Sequence, residues 1–230
     1  MKTPVPTFYF SLRSPYSWLA WHDLKTLYPK LLQRLRLVPF WEPDSAYRDA
    51  LGEKGEVFLY SAMSREKHLY ILSDVRRLSQ RRGLPVRWPV DRDPQWEVPH
   101  LAYLAADRAG KGRDFIDVIT RLRWQEGADI CDPETVAAAA VELALDPGLL
   151  SNAHRDPGLR EQGLLPLRAC IADGVFGVPM FNVGRDKFWG IDRLPDFIAA
   201  VAGAAVSAAP DETPLGRPVQ ALFDHAGGCG

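Results

Sequence analysis

Residues 5–28 constrain this chain more than any other stretch. Thr7 to Leu12 is a short run carrying Phe8, Tyr9 and Phe10, and aromatic residues in such a run predict a strand. From Trp18 onward the apolar spacing changes, with Trp18, Trp21, Leu24, Leu27 and Tyr28 following a helical period. Between the two lie Ser14, where a helix N-cap belongs, and Pro15, at the first helical position. A strand therefore runs almost directly into a helix. Ser14 stands at the turn, beside backbone N–H groups that lack helical partners and the positive end of the helix dipole.

Such a turn favours an anion or a thiolate. Ser14, Pro15, Tyr16 and Ser17 also have the spacing of a Cys-x-x-Cys motif with hydroxyls in place of both sulfurs. A hydroxyl forms no disulfide, so direct dithiol oxidation is excluded; it can donate a hydrogen bond to another molecule's sulfur. Taken alone, the pattern is equally a Ser-Pro helix cap worth ~1 kcal/mol.

The far end carries a second signal. Gly177-Val178-Pro179 precedes a hydrophobic run, a setting in which a cis peptide is common. Phe181–Val183, a Gly-Arg-Asp turn and Lys187–Trp189 read as a hairpin, and Ile191 opens a last helix with Asp192 in its first turn. In between, Leu35–Trp41 reads as a second strand whose Pro39 places it at an end or an edge. Residues 42–61 read as irregular. Residues 63–82 form a helix ended by Gly83 and Pro85, with Leu72, Val75 and Leu78 as its apolar stripe. Lys67, Tyr70, Asp74 and Arg77 form a polar stripe beside it, on one reading a surface ion-pair ladder worth ~0.3 kcal/mol per pair. The proline-rich stretch 84–99 admits no long helix, and Trp88 and Trp96 in it either wall a pocket or cover the core. His100–Arg108, Gly112–Glu126 and Asp132–Leu145 read as helices, followed by helix from Leu149 to Ala172 with breaks near Pro157 and Pro166.

Phe-Tyr-Phe-x-x-x-Ser-Pro-Tyr-Ser-Trp-Leu, Gly-Val-Phe-Gly-Val-Pro-x-Phe and Phe-Trp-Gly-x-Asp-Arg-Leu together resemble the thioredoxin-fold family that holds kappa-class glutathione transferases, 2-hydroxychromene-2-carboxylate isomerases and, more distantly, the DsbA thiol oxidases. The resemblance implies an α/β chain, a DsbA-like thioredoxin domain with a large all-helical insertion. It divides the chain into a discontinuous thioredoxin-like domain (1–45 and 165–203), a helical insertion (46–164) and a C-terminal tail (204–230). It also implies a site. Ser14 would hold the thiolate of glutathione or another low-molecular-weight thiol. Val178, before a cis Pro179, would pair with the tripeptide backbone, and Asp192 and Arg193 would meet its γ-glutamyl end. Lys67 would face the pocket, with Tyr16, Trp88 and Trp96 walling the substrate side. Ile191 stands where relatives carry Ser or Asn, and their Gly-Asn-x-Pro-Pro segment is missing, so the pocket wall and the substrate are expected to differ.

The expected activity is a thiol-dependent isomerase of a conjugated, aromatic-derived small molecule, with a kappa-like transferase or a catalytically silent binding protein as alternatives. Relatives are often dimers, which implies a homodimer. The chain's 230 residues, 47% hydrophobic, suffice for one full core plus an insertion. A formal charge of −1 gives no electrostatic case for nucleic acid or a membrane surface. Cys131, Cys170 and Cys229 show no paired spacing, the first two reading as buried apolar groups and the third as part of an exposed tail. His22, His68, His100, His154 and His225 are scattered, so no metal is expected. The opening Met-Lys-Thr-Pro-Val-Pro has no continuous apolar stretch, and a cytoplasmic protein is expected.

Overall fold

The computed structural model describes residues 4–59 and 63–208. Its centre is a four-stranded sheet of order β2-β1-β3-β4. Strand β1 (Thr7–Phe10) pairs parallel with β2 (Arg36–Pro39) and antiparallel with β3 (Met180–Val183), which in turn pairs with β4 (Asp186–Trp189). Pro39 is both the last residue of β2 and on an edge strand, where a missing N–H costs nothing.

Because successive side chains alternate across a strand, β1 feeds two cores. Phe8 and Phe10 face the larger one, where Phe8 stacks on Phe181 at 4.9 Å and Phe181 on Phe197 at 5.0 Å. Tyr9 faces the smaller one with Val38, Val178 and Met180. Helix α1 (Pro15–Leu27) follows β1 through Ser14, and a short helix α2 (Pro29–Arg34) leads into β2. The parallel β1–β2 pair with its intervening helices is the βαβ unit that the sequence predicts.

The helical part holds more structure than the sequence suggests. Residues 42–61 are not all irregular: α3 (Ser45–Gly52) lies among them, capped by Asp44, whose carboxylate accepts from Tyr47 N, with Tyr47 and Leu51 turned inward. Residues 60–62 lie outside the described residues. Helix α4 (Arg65–Arg81) buries Ile71, Val75 and Leu78, so Ile71 rather than Leu72 completes its apolar stripe. Asp74 is buried too, not part of an exposed ladder. Helix α5 (Glu97–Arg108) packs against α6 (Gly112–Trp124), against α7 (Pro133–Glu142) and against α8 (Pro147–Ser151).

Helix α9 (Pro157–Ala172) begins at the break expected near Pro157 but continues unbroken through Pro166 and through the expected boundary at 165. One backbone hydrogen bond is lost there, while Leu159, Gly163, Leu167 and Cys170 hold the helix to the interior on both sides. Its C-terminal half packs on β2, with Cys170 in the smaller core; Cys131 is only partly covered. After a 3₁₀ turn (Ile191–Arg193), α10 (Leu194–Ala208) lies on β3 and β4. The tail-like composition thus begins inside a helix, and the remaining residues, Cys229 included, lie outside the described residues. No helix among the described residues is long and apolar enough to cross a membrane.

At Gly163 the backbone of α9 comes close to Tyr47 of α3 and Leu101 of α5. A Cβ there would come within 2.2 Å of Tyr47 Oη and 2.9 Å of Leu101 Cδ2, and the Tyr47 hydroxyl is held by Arg160 O at 2.8 Å. Gly163→Ala is expected to lose about 1–3 kcal/mol through overpacking. Adding Tyr47→Phe, which removes the clashing oxygen, should recover part of that loss in urea denaturation.

Candidate active site

Ser14 caps α1 as its position predicts. It adopts extended backbone (φ −89°, ψ 120°), and its Oγ accepts the Ser17 N–H at 3.2 Å. The residues before it form a tight turn in which Ser14 N donates to Ser11 O at 3.1 Å. Ser17 Oγ accepts the Ser11 N–H, also at 3.2 Å. A hydroxyl carries one donor beside its acceptor lone pairs. Among the described residues no acceptor takes the proton of either hydroxyl, but Ser17 ties the helix back to the strand, and only Ser14 of the two borders the cavity.

A cavity of about 160 Å³ opens onto Ser14. Val178 borders it, and the Val178–Pro179 peptide is cis, as expected from the sequence. Trp88 and Trp96 also line it, together with Trp41 and Trp124. The aromatic wall is interleaved with arginine. The Arg13 guanidinium lies 4.9 Å from the Trp96 ring centre, and that of Arg123 lies 5.2 Å from Trp96 and 4.8 Å from Trp124. Both cations have carboxylate partners in the same wall. Arg123 is buried and bidentate to Asp91 at 2.8 Å for each bond, and Arg13 meets Glu42 at 3.4 Å. Arg123 Nε and Trp124 Nε1 are covered from solvent and have no hydrogen-bond partner among the described residues. The wall thus presents flat indole faces, and each of its two arginines is matched by a carboxylate.

Several residues expected at the site lie elsewhere. Tyr16 is not a wall of the cavity. It is fully buried behind the Ser14 turn and donates to Asp74 Oδ2 at 2.8 Å, while Arg77 holds the other oxygen at 3.0 Å. Lys67, Asp192 and Arg193 are not among the residues that line the cavity. The Asp192 carboxylate is almost covered and faces Arg193 at 3.7 Å on the turn after β4. Ile191 is a core residue rather than a pocket residue, which explains why an apolar side chain stands there.

The residue that sequence reasoning missed is His100. It is wholly buried. Nδ1 lies 2.7 Å from Trp96 O, which only accepts, so this nitrogen carries the proton; Nε2 then accepts the Leu12 N–H at 3.2 Å, with Ser11 Oγ at 3.4 Å. The ring stacks on Trp41 at 5.3 Å. Burial, helped by Arg13 and Arg123, pushes its pKa down to about 3. Next to it, Glu97 is buried and its acidity weakened by that burial; its Oε1 accepts from Trp41 Nε1 at 3.2 Å and Asp44 N at 2.8 Å. A lone histidine carries no spacing signal. The only hint was its position one turn after Trp96.

Tyr16→Phe is expected to lose about 1–3 kcal/mol, since it leaves a buried Asp74 oxygen without its donor; urea denaturation reads this directly. His100 gives a pH signature. The native state resists a proton that the unfolded chain takes up below pH 6.5, so stability falls as pH falls from 6.5 to about 3. The slope from this group is about 1.4 kcal/mol per pH unit; His100→Gln should lack it, so that it appears as the difference between wild type and that variant.

The DSBA-like thioredoxin domain family matches residues 7–202. The 2-hydroxychromene-2-carboxylate isomerase of Sphingobium xenophagum is 28% identical over 200 residues, covering 85% of this chain and 96% of that protein. The protein of the same name from Pseudomonas sp. (strain C18) is 27% identical over 205 residues, covering 88% and 92%. A solved 2-hydroxychromene-2-carboxylate isomerase structure has a TM-score of 0.69 at 22% identity, over 88% of this chain and 97% of that one, and shares the fold. From β1 to the last helix the match is continuous, and the chain belongs to the DSBA-like thioredoxin family.

Proposed function

We propose that this protein is an isomerase of a conjugated, aromatic-derived small molecule and works with a low-molecular-weight thiol, glutathione being the first to test. The observation that carries the reading is the Ser14 hydroxyl: its acceptor side is fixed by Ser17 N–H, its donor has no protein acceptor among the described residues, and it borders an aromatic-lined cavity. The relatives named 2-hydroxychromene-2-carboxylate isomerase support the isomerase over a transferase.

When bound, the thiol supplies a nucleophilic sulfur that adds to a conjugated double bond and leaves once that bond has rotated. The chain's own residues prepare the site for it. Ser14 donates a hydrogen bond to the charged sulfur, worth ~1.5–3 kcal/mol. The N-terminus of α1 adds ~0.3–1 kcal/mol. Together they lower a thiol pKa of ~8.5 by about two units, enough to make thiolate the main species near neutrality. Trp88 and Trp96 offer faces for a planar second substrate. The Arg13–Glu42 and Arg123–Asp91 pairs brace Trp96 and Trp124, each cation facing its own carboxylate in the wall. Asp192 and Arg193, away from the cavity lining, leave the amino-terminal end of the thiol to other contacts, so a thiol other than glutathione is compatible with the same sulfur-binding end.

Ultraviolet thiolate absorbance of bound glutathione, titrated against pH, tests the reading. Ser14→Ala should raise the bound-thiol pKa by about one to two units, whereas Ser17→Ala, whose hydroxyl only ties helix to strand, should cost stability and leave that pKa in place. Absence of binding at millimolar glutathione, followed by the same result with other small thiols, would leave a catalytically silent binding protein as the surviving alternative.

A further inference from the structure

We propose that His100 is a positioning residue for Ser14, a rigid spacer that sets the serine-bearing turn against the aromatic wall of the cavity. The inference rests on the thiol reading of the site. Its geometry stands without it.

The imidazole bridges two chain segments 89 residues apart. On one side it grips the middle of the turn that presents Ser14: Nε2 takes the Leu12 N–H, and the turn is closed by Ser14 N on Ser11 O. On the other side Nδ1–H is held by the carbonyl of Trp96, whose indole is part of the cavity wall. That contact, at 2.7 Å, is shorter than the helical one from His100 N to the same oxygen, at 3.4 Å. The ring therefore takes up the carbonyl that opens α5. The flat stack on Trp41 fixes the third direction. The charged groups that face it, Arg13 from the serine turn and Arg123 from α6, both disfavour a second proton on the ring. A donor and an acceptor on opposite edges of one rigid, neutral ring are what this bridge needs, and displacements of an ångström in such a site cost up to about a hundredfold in rate.

The two hydrogen bonds can be separated. His100→Gln places an oxygen where Nε2 was and keeps the grip on Leu12 N–H. His100→Asn places an amide where Nδ1 was and keeps only the bond to Trp96 O. His100→Ala keeps neither. All three are expected to lose stability, so stability alone decides nothing. The pKa of bound glutathione, read by thiolate absorbance, should stay near the wild-type value in His100→Gln. It should rise by about one unit, a tenfold loss of thiolate at neutral pH, in His100→Asn and His100→Ala. Amide hydrogen exchange at Leu12 and through residues 11–18, measured without any thiol, should quicken at least tenfold in His100→Asn relative to His100→Gln. The same thiol pKa in all three variants, or the same exchange at Leu12, overturns the assignment. If wild-type protein fails to ionise bound glutathione, the thiol reading falls, and the exchange contrast still decides the role of His100.

Discussion

The first turn of α5 is the constraint on which the rest of the site depends. It begins at the end of a proline-rich extended stretch and presents the Trp96 carbonyl, the Glu97 carboxylate and the His100 ring into the interior. The two side chains reach different segments around β1 and β2, while the Trp96 carbonyl holds the His100 ring. His100 holds the turn before α1, and Glu97 holds the indole of Trp41 and the backbone of Asp44 beyond β2. A buried amide, indole N–H or carboxylate left without its partner costs about 1–3 kcal/mol. The helical layer and the sheet therefore cannot slide past each other without breaking several such bonds together. The cavity lies along this seam, and its shape is set by the same contacts that join the two halves.

The electrostatics of the cavity follow from how its arginines are placed. Arg123 is one of the few buried cations, and a buried charge is tolerated only when paired and well hydrogen-bonded. The bidentate Asp91 provides the pairing, and the faces of Trp96 and Trp124 cover what remains of the guanidinium. Arg13 repeats the arrangement nearer the opening, with Glu42 and the Trp96 ring. The positive charge thus stiffens the aromatic wall more than it attracts anions. A negative charge that forms at Ser14 is met mainly by the hydroxyl and the helix terminus.

Much of this architecture is legible in the residues themselves. The strand-to-helix turn at Ser14, both strands of the hairpin and the long helix after Ser64 follow from local chemistry: aromatic runs, an N-cap and a helical period. So does the cis peptide at Val178–Pro179. What escaped is the part decided by partners distant in the chain. Tyr16 reads as a pocket residue because it sits in the motif, yet Asp74, on another helix, turns it into an anchor. Asp74, Glu97, His100 and Arg123 are polar residues in helices whose patterns place them ambiguously, and only tertiary contacts with complementary groups make their burial affordable. Helix α3 was hidden for a different reason: it is short, and its flanking glycines outweighed the Asp44 cap.

The serine pair shows how the site was built from ordinary capping. In a Cys-x-x-Cys arrangement both positions carry the reactive atom. Here the two hydroxyls divide the work. Ser17 accepts from Ser11 N–H, across the turn, and its own backbone N–H is given to Ser14. Ser14 is thereby held from its acceptor side, and of the two hydroxyls it is the one that borders the cavity, where its proton is available. A cap that satisfied itself completely would stabilise α1 equally well and do nothing more. What makes this turn a candidate for chemistry is the remaining donor, placed at a helix N-terminus and beside aromatic surface. That combination lowers the energy of an anion arriving from solution more than that of a neutral guest.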